Sequence, residues 1–419
     1  FYICSLSSRS IIYKGMFLAE ALSDFYPDLM DKRFISRFAI FHQRYSTNTF
    51  PTWSLAQPFR VLSHNGEINT IQGNINWSII HESKMFSENL GENIKETFPI
   101  IQDGASDSAA LDSFYELLLH SGKDLPMIKA LTIPEAKNKN QNKKIKDFYE
   151  YCYSVLEPCD GPAAIAAYGK DWVIAGMDRN GFRPMRYTIT NKNILFVGSE
   201  TGMVEIPDDK VIFKGRLGPG QIIAVDIEKG KVYDNKSIKN SISKDYKKYN
   251  KQIIDLDKKF NVTNEIFNYS GNDLRRRQHV SGMSIEDIEL ILQPMIETFK
   301  EAVGSMGDDT PTAVLSKNYR PVSHFFRQNF SQVTNPPIDS LRENEVMSLK
   351  TRFGSLGNIL DFENLTEENI YVLESPILSN SQFNKFLEFF KDSAKVIDCT
   401  FDINAVSYTH LRAHETPEH

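Results

Sequence analysis

The sequence has few cysteines, no long apolar run and no strong excess of either charge. Its four cysteines, at positions 4, 152, 159 and 399, have neither CxxC nor Cys/His spacing, so they predict no zinc site, disulfide framework or iron–sulfur motif. This cysteine usage fits a reducing cytoplasm. No stretch approaches the roughly 18 apolar residues of a membrane helix. The net charge of −6 gives nucleic acid or an anionic membrane no basic surface to bind. These absences favour small-molecule chemistry.

The length of 419 residues predicts two or three domains, because one hydrophobic core seldom serves more than about 250 to 300 residues. Residues 1–226 combine short β-rich runs with an amphipathic helix. Residues 227–265 are rich in Lys, Asn, Asp and Ser, which indicates a connecting segment. Residues 266–404 alternate helical patterns with short strands, which predicts an α/β domain that is cut short at its end.

Local patterns predict individual elements. Apolar periodicity predicts a helix over Ser108–His120, with Ser106 or Asp107 as its N-cap, and Ser284 with Asp287 forms a capping box ahead of a second helical pattern. The polar stretch Lys137–Lys146 is interpreted as a loop. The predicted strands are Arg37–Gln43, Phe59–Ser63, Ala163–Tyr168, Trp172–Gly176, Ile194–Gly198, Tyr371–Glu374 and Ala394–Asp398.

Both ends of the sequence look artificial. The first residues show neither an initiator Met nor a signal peptide, so we expect the chain to begin inside a domain. Residues 405–419 contain His410, His414 and His419, whose spacing is only loosely that of metal ligands. The segment is similar to translated sequencing-adapter read-through, and we expect a non-native tail there and no metal site.

Three short motifs stand out in the first domain: HQRYSTNT at 42–49, SHNGEINT at 63–70 and GASDSAALD at 104–112. Each is weak alone, because Asn-Gly is a common hairpin turn and an Asp before a helix is usually a cap. Their order and spacing resemble the glutamine site of class II glutamine amidotransferases, and specifically that of glutamate synthase large subunits. DRNGFRPMRY at 178–187 and LGPGQIIAVD at 217–226 follow in the family's order.

This resemblance gives the motif residues chemical roles. Free glutamine carries an α-carboxylate, which Arg44 can bind bidentately, and an α-ammonium, which Asp107 can bind. Thiolate attack on the side-chain amide places negative charge on its oxygen, and the Asn65 side chain with the Gly66 backbone N–H would form the oxyanion hole. The resemblance also places Thr47 in the glutamine pocket.

The family's nucleophile is an N-terminal cysteine whose own α-amino group acts as general base. Residue 1 here is Phe, and Cys4 lies in a strand-like run without a free amine. We therefore expect Cys4 to be a buried apolar residue, the nucleophile to lie upstream, and this fragment to be inactive alone.

The second domain carries residues 290–316 and 326–349, which resemble the central domain of glutamate synthases. The predicted fold is a four-layer αββα sandwich of the N-terminal-nucleophile hydrolase type, because strand-rich halves flank a helix that must cover a sheet, followed by the truncated α/β central domain. The resemblance implies FMN and an iron–sulfur cluster in the full-length protein, with neither these cofactors nor a metal in this fragment.

The implied activity is hydrolysis of glutamine to glutamate and ammonia, with internal transfer of ammonia to 2-oxoglutarate. The implied electron donor is a nicotinamide-linked small subunit or ferredoxin, and neither nucleic acid nor a membrane is an expected partner. Two alternatives remain. One is another class II amidotransferase, such as a phosphoribosyl- or hexosamine-forming enzyme, which SDSAALD and the second domain oppose. The other is a non-catalytic regulatory module with a degenerate glutaminase site.

Overall fold

The computed structural model describes residues 2–43, 50–135, 141–200, 202–244, 253–260, 268–299, 349–354, 358–361 and 369–397. Arg44 and Thr47, two of the predicted glutamine-binding residues, lie outside these ranges, as do residues 405–419.

The strands of the described ranges form three sheets. In chain order the strands are β1 (Leu62–Gly66), β2 (Ala163–Gly169), β3 (Trp172–Met177), β4 (Arg186–Thr190), β5 (Leu195–Gly198), β6 (Val211–Arg216), β7 (Ile222–Asp226), β8 (Lys231–Tyr233), β9 (Ile253–Asp255), β10 (Thr351–Gly354) and β11 (Ile370–Leu373). The largest sheet has the order β1-β2-β3-β7-β8 and is antiparallel throughout. The second sheet has the order β5-β4-β6, and the third has the order β10-β11-β9.

The described α-helices include the one predicted from apolar periodicity. They are α1 (Leu22–Phe25), α2 (Ile71–Glu82), α3 (Asp107–His120), α4 (Leu125–Thr132), α5 (Lys143–Val155), α6 (Asn235–Ile242), α7 (Leu256–Lys259), α8 (Gly271–Val280), α9 (Gln293–Thr298) and α10 (Asn380–Phe389). The π-helix Asp287–Leu292 continues directly into α9. Short 3-10 turns occupy Ala19–Ala21, Pro27–Met30, Gly91–Thr97 and Asp208–Lys210.

The largest sheet has a different core on each face, because successive strand residues point to opposite sides. One face of β2 contributes Ala163, Ile165 and Ala167 to the main core, which also holds apolar side chains of α3, α4 and α5. The other face contributes Ala164 to a smaller core shared with the second sheet through Tyr187, Leu195 and Val197. The described part of this domain therefore has a helix layer, a five-stranded sheet and a second sheet in succession.

Helix α3 confirms the predicted amphipathic helix. Ser106 is its N-cap, and the Ser106 Oγ accepts a hydrogen bond from the Ala109 N–H at 3.2 Å. Leu111, Tyr115 and Leu118 are buried against the largest sheet. Because Ser106 supplies the cap, the carboxylate of Asp107 is available for other contacts.

Three predicted strands were wrong or displaced. Residues 37–43 form no strand, since local contacts such as the 3.3 Å bond from the Phe38 N–H to Ser36 Oγ engage this segment instead. The strand expected over Phe59–Ser63 begins only at Leu62, because the N–H groups of residues 60–62 donate to a side chain. Residues 394–397 form no strand, and the Ala394 N–H closes a turn after α10.

The segment expected to connect the domains, residues 227–265, contains β8, α6, β9 and α7 among its described residues. Ile238 of α6 is buried in the main core. Residues Ile359, Leu360, Ile370 and Val372 belong to the same core, and Lys350 and Arg352 form salt bridges with Glu150 of α5. The third sheet thus packs directly on the helix layer. The domain limits themselves stay a prediction.

Candidate active site

Asn65 and Gly66 lie at the end of β1, where the strand pairs with the start of β2 (Asn65 with Ala164, Gly66 with Ala163). Gly66 has φ +150°, and a Cβ added there would lie 1.7 Å from the carbonyl oxygen of Pro162. Only glycine fits this approach without displacing backbone.

Gly161, just before β2, lies similarly close to the backbone that follows β1. None of the sequence motifs contains it. It has φ +145°, and an added Cβ would lie 2.0 Å from the carbonyl oxygen of Glu67. The Glu67 N–H donates to Pro162 O and the Asn69 N–H to Asp160 O, both at 2.8 Å. The turn that follows β1 is therefore fitted closely against residues 160–162. An Asp-Gly-Pro sequence before β2 was the available signal, since these residue types mark turns.

Asp107 is the first residue of α3, and its carboxylate reaches the segment just beyond Gly66. Its Oδ2 accepts a hydrogen bond from the Ile68 N–H at 2.9 Å. Its Oδ1 accepts from the Ser108 N–H at 2.7 Å and from Ser108 Oγ at 3.1 Å. The side chain is 13% exposed, so the carboxylate is held from one side and open on another. A helix N-terminus also favours negative charge at this position.

His64 precedes Asn65, and its ring is fully buried. Its Nδ1 lies 2.7 Å from Ser108 Oγ and 4.0 Å from Asp107 Oδ2. Burial lowers the pKa of the imidazole to about 4; the charge of Asp107 opposes this, and those of His42 and Arg183 add to it. The ring is therefore neutral near pH 7. Its pKa is also affected by one charged or titratable residue from each of three other motifs, those at 42–49, 104–112 and 178–187.

Helix α3 holds β1 at its start as well. Oδ1 of Asp112, a buried side chain, accepts from the N–H groups of Val61 and Leu62 at 2.9 Å, and Oδ2 accepts from the Arg60 N–H at 3.1 Å. Burial raises the pKa of Asp112 to about 7, against the effect of these hydrogen bonds. Two carboxylates on one helix thus fix both ends of the strand that carries Asn65.

The motif at 178–187 wraps around the buried carboxylate of Asp178. Its Oδ1 accepts from the N–H groups of Asn180, Gly181 and Phe182, and its Oδ2 accepts from the Ala163 N–H at 3.0 Å. Burial raises the pKa of Asp178, and the backbone hydrogen bonds oppose that rise. Sequence patterns gave this motif no role. In the structure it supports the start of β2, against which Gly66 packs.

Lys129 of α4 is buried and contacts the motif at 217–226. Its Nζ donates to the carbonyl oxygens of Ile133 at 3.0 Å and Gly220 at 3.3 Å. The Gly220 N–H in turn donates to Asp178 O at 2.7 Å, which ties the motif at 217–226 to the one at 178–187. Burial lowers the pKa of Lys129 to about 7. No sequence signal marked this lysine, because most lysines in helices are exposed.

Of the predicted site residues, the structure brings Asn65, Gly66 and Asp107 together at the end of β1. Their individual roles, and those of Arg44 and Thr47, stay predictions. Cys4 lies elsewhere, since the carbonyl oxygen of its neighbour Ile3 accepts from the Arg60 side chain at the opposite end of that strand.

Cys152 and Cys159 do not fit the ligands of an iron–sulfur cluster, which are thiolates. Cys152 and Cys159 belong to the main core, and burial raises the thiol pKa of Cys152 well above its usual value and that of Cys159 to about 12. Within the described ranges, no three His, Cys, Asp or Glu side chains are grouped as metal ligands would be. Nor does any helix there have the length and apolar character needed to span a membrane.

Two family profiles match this chain. Residues 1–251 match the profile of class II glutamine amidotransferases, which is more than half of the chain, so the chain belongs to that class. Residues 276–415 match the profile of the glutamate synthase central domain. With both domains in this order and the relatives described below, the chain belongs to the glutamate synthase family.

Its relatives include the glutamate synthase [NADPH] large chain of Azospirillum brasilense, 54% identical over 411 residues, which are 96% of this chain and 27% of that protein. The ferredoxin-dependent glutamate synthase of Antithamnion sp. is 43% identical over 93% of this chain and 26% of its own length. The glutamate synthase [NADPH] large chain of Bacillus subtilis is 40% identical over 91% of this chain and 25% of its own length. The chain spans about a quarter of the length of these relatives.

Proposed function

We propose that this chain carries the glutaminase site of a glutamate synthase, which hydrolyses L-glutamine to glutamate and ammonia. The observation that carries the proposal is the 2.9 Å contact of Asp107 with Ile68, two residues beyond Gly66. This contact supports the proposal because the carboxylate that we assign to the α-ammonium lies near Asn65 and Gly66, to which we assign the oxyanion hole. His42, the first residue of the motif that contains Arg44, affects the pKa of His64, which supports assigning that motif to the same site.

In the proposed reaction a cysteine thiolate attacks the amide carbon of glutamine. The C–N bond breaks, ammonia leaves, and water hydrolyses the thioester to glutamate. Asn65 and Gly66 stabilise the oxyanion, Asp107 binds the α-ammonium, Arg44 binds the α-carboxylate, and Thr47 lines the pocket.

We propose that the nucleophile is an N-terminal cysteine outside residues 1–419. Cys4 has no free α-amine and lies near the far end of β1 from Gly66. The chain alone should therefore bind glutamine without hydrolysing it.

We assign the wider activity to the whole protein by its relationship to glutamate synthases. Ammonia passes internally to 2-oxoglutarate in a cytoplasmic enzyme. FMN and an iron–sulfur cluster in the full-length protein would supply the reducing chemistry that forms the second glutamate. Electrons come from a small subunit or from ferredoxin. The first domain completes a four-layer αββα sandwich, in which a further helix layer covers the second sheet.

Calorimetric titration of the 419-residue chain tests the proposal. L-Glutamine should bind, and D-glutamine should bind far more weakly. Asp107→Ala should weaken binding about 10- to 100-fold, in keeping with the roughly 1.5 to 3 kcal/mol of a charge-assisted hydrogen bond. The exposed Asp103→Ala is the matched control. Equal affinity for L- and D-glutamine, or unchanged affinity in Asp107→Ala, would refute the site.

A further inference from the structure

Strand β1 lies at the edge of the largest sheet, and its backbone groups point alternately into the sheet and away from it. The Tyr168 N–H donates to Val61 O at 2.9 Å, and the Glu67 N–H donates to Pro162 O at 2.8 Å. The odd-numbered residues of this stretch therefore form the hydrogen bonds to β2 and to the residue before it. The residues whose backbone groups point away from the sheet are Leu62, His64 and Gly66.

Side chains occupy the outward positions on both sides of Gly66. Gln57 binds His64 as a neighbouring strand would, because the His64 N–H donates to Gln57 Oε1 at 2.6 Å and Gln57 Nε2 donates to His64 O at 2.9 Å. Beyond Gly66, the Ile68 N–H donates to Asp107 Oδ2 at 2.9 Å. Among the residues that the structure describes, none forms a hydrogen bond with the N–H or the carbonyl oxygen of Gly66.

The direction of the Gly66 carbonyl follows from the peptide bond that it shares with Glu67. This bond is trans, so its C=O and N–H point in opposite directions. The Glu67 N–H points into the sheet, towards Pro162 O, and the Gly66 carbonyl oxygen therefore points outward. The donor and the acceptor of Gly66 thus face the same side, as those of His64 face the Gln57 amide.

We propose that the Gly66 carbonyl oxygen accepts a hydrogen bond from the side-chain NH2 of L-glutamine, while the Gly66 N–H donates to the oxygen of the same amide. The substrate amide then repeats, two residues further along the edge, the contacts that the Gln57 amide makes with His64. The carboxylate that we assign to the α-ammonium, that of Asp107, lies at the next outward position. This inference rests on the proposed function, which supplies the ligand and the role of the Gly66 N–H.

A carbonyl acceptor at this position selects a primary amide. The side-chain carboxylate of the product glutamate has no N–H at neutral pH, so its oxygen lone pairs face the Gly66 carbonyl oxygen and repel it. The γ-methyl ester of L-glutamate keeps the acceptor oxygen but lacks the N–H donor. Calorimetric titration should therefore show L-glutamine binding about 3- to 10-fold more tightly than the ester, as for one hydrogen bond. Equal affinities would overturn the proposal.

NMR of the 419-residue chain, labelled with carbon-13 at glycine carbonyls and nitrogen-15 at glutamate, tests the contact itself. Gly-Glu occurs at residues 66–67 and 91–92, so this labelling selects two carbonyl signals, and that of Gly91 is an internal control. Saturating L-glutamine should move the Gly66 carbonyl signal downfield, because accepting a hydrogen bond deshields the carbon. The Gly91 signal should stay in place.

A second sample, labelled with carbon-13 at asparagine carbonyls and nitrogen-15 at glycine, reports the Gly66 N–H through the Asn65–Gly66 pair. L-Glutamine should shift both the N–H and the carbonyl of Gly66, and the γ-methyl ester should shift the N–H alone. A shifted N–H with an unmoved carbonyl would overturn the proposal and leave the proposed function intact. Equal carbonyl shifts with glutamine and the ester would also overturn it. If L-glutamine did not bind, the proposed function and this inference would both fall.

Discussion

The Asp107 carboxylate and the Ile68 backbone nitrogen lie 2.9 Å apart, which joins the first turn of α3 to the turn that follows β1. Five residues later on the same helix, Asp112 binds the backbone N–H groups at the start of β1. One helix therefore fixes the strand at both ends. The position of Asn65 and Gly66 depends on these two carboxylates as much as on the sheet.

Replacing Gly66 with alanine should destabilise the fold. The new Cβ would lie 1.7 Å from Pro162 O and 2.7 Å from Pro162 C, and backbone atoms cannot move aside as a flexible side chain can. We expect a loss of about 3 kcal/mol or more in the free energy of unfolding, measured in urea. Gly73→Ala in α2 is the control, because nothing lies within 4 Å of its added Cβ. It should be neutral or stabilise by up to about 1 kcal/mol. Similar stabilities for the two variants would contradict the close approach at Gly66.

The Asp112 carboxylate should stabilise the fold by accepting hydrogen bonds from the backbone. Asp112→Ala leaves the N–H groups of residues 60–62 without their partner, and each buried, unpaired donor costs about 1 to 3 kcal/mol. We expect a loss of about 3 kcal/mol or more. Asp112→Asn keeps one oxygen for Val61 and Leu62 and should lose only about 1 kcal/mol. Equal losses in the two variants, measured by urea unfolding, would show that the negative charge and not the acceptor geometry holds β1.

Lys129 should make stability depend on pH. Its pKa in the fold is lowered to about 7 by burial, with Lys239 adding to this and Asp178 and Glu135 opposing it. The unfolded chain binds a proton up to the usual lysine pKa near 10.4, so unfolding takes up a proton between these values. The stability of the wild type should therefore rise with pH across this window, by at most about 1.4 kcal/mol per pH unit.

Lys129→Met fills the same space without a titrating group, so the pH slope of its unfolding free energy should be smaller than that of the wild type. The exposed Lys236→Met should keep the wild-type slope. Identical slopes for Lys129→Met and the wild type between pH 8 and 9 would show that Lys129 is charged in the fold.

Elements that depend on local apolar periodicity were predicted close to their observed bounds. The start of a strand was not predicted where a side chain takes the hydrogen bonds of a neighbouring strand. Helix α3 and strands β2 and β3 follow from apolar spacing and lie close to their predicted bounds. The start of β1 could not be predicted, because Asp112, fifty residues later, takes the backbone N–H groups that a strand would use. The burial of Lys129 could not be predicted either, because it arises from packing between segments that are distant in the sequence.

The candidate site was found through motifs and not through folding patterns. Asn65, Gly66 and Asp107 were predicted from their order and spacing, and the structure places them together. Gly161 was missed, although it lies almost as close to the Glu67 carbonyl oxygen as Gly66 lies to that of Pro162. Its importance depends on a contact between turns about ninety-five residues apart, which no single motif contains.

Different residues should serve glutamine binding and catalysis, and steady-state kinetics of the complete enzyme can distinguish the two roles. Arg44→Ala and Asp107→Ala should mainly raise KM for glutamine, because the charges they bind exist in both the ground and transition states. Asn65→Ala should lower kcat by about 10² to 10³ with little change in KM, because its partner charge exists only during the reaction. Glutamate synthesis from added ammonia should survive all three changes. An Asn65→Ala enzyme with intact glutamine-dependent kcat, or a parallel loss of ammonia-dependent synthesis, would rule out these residue roles.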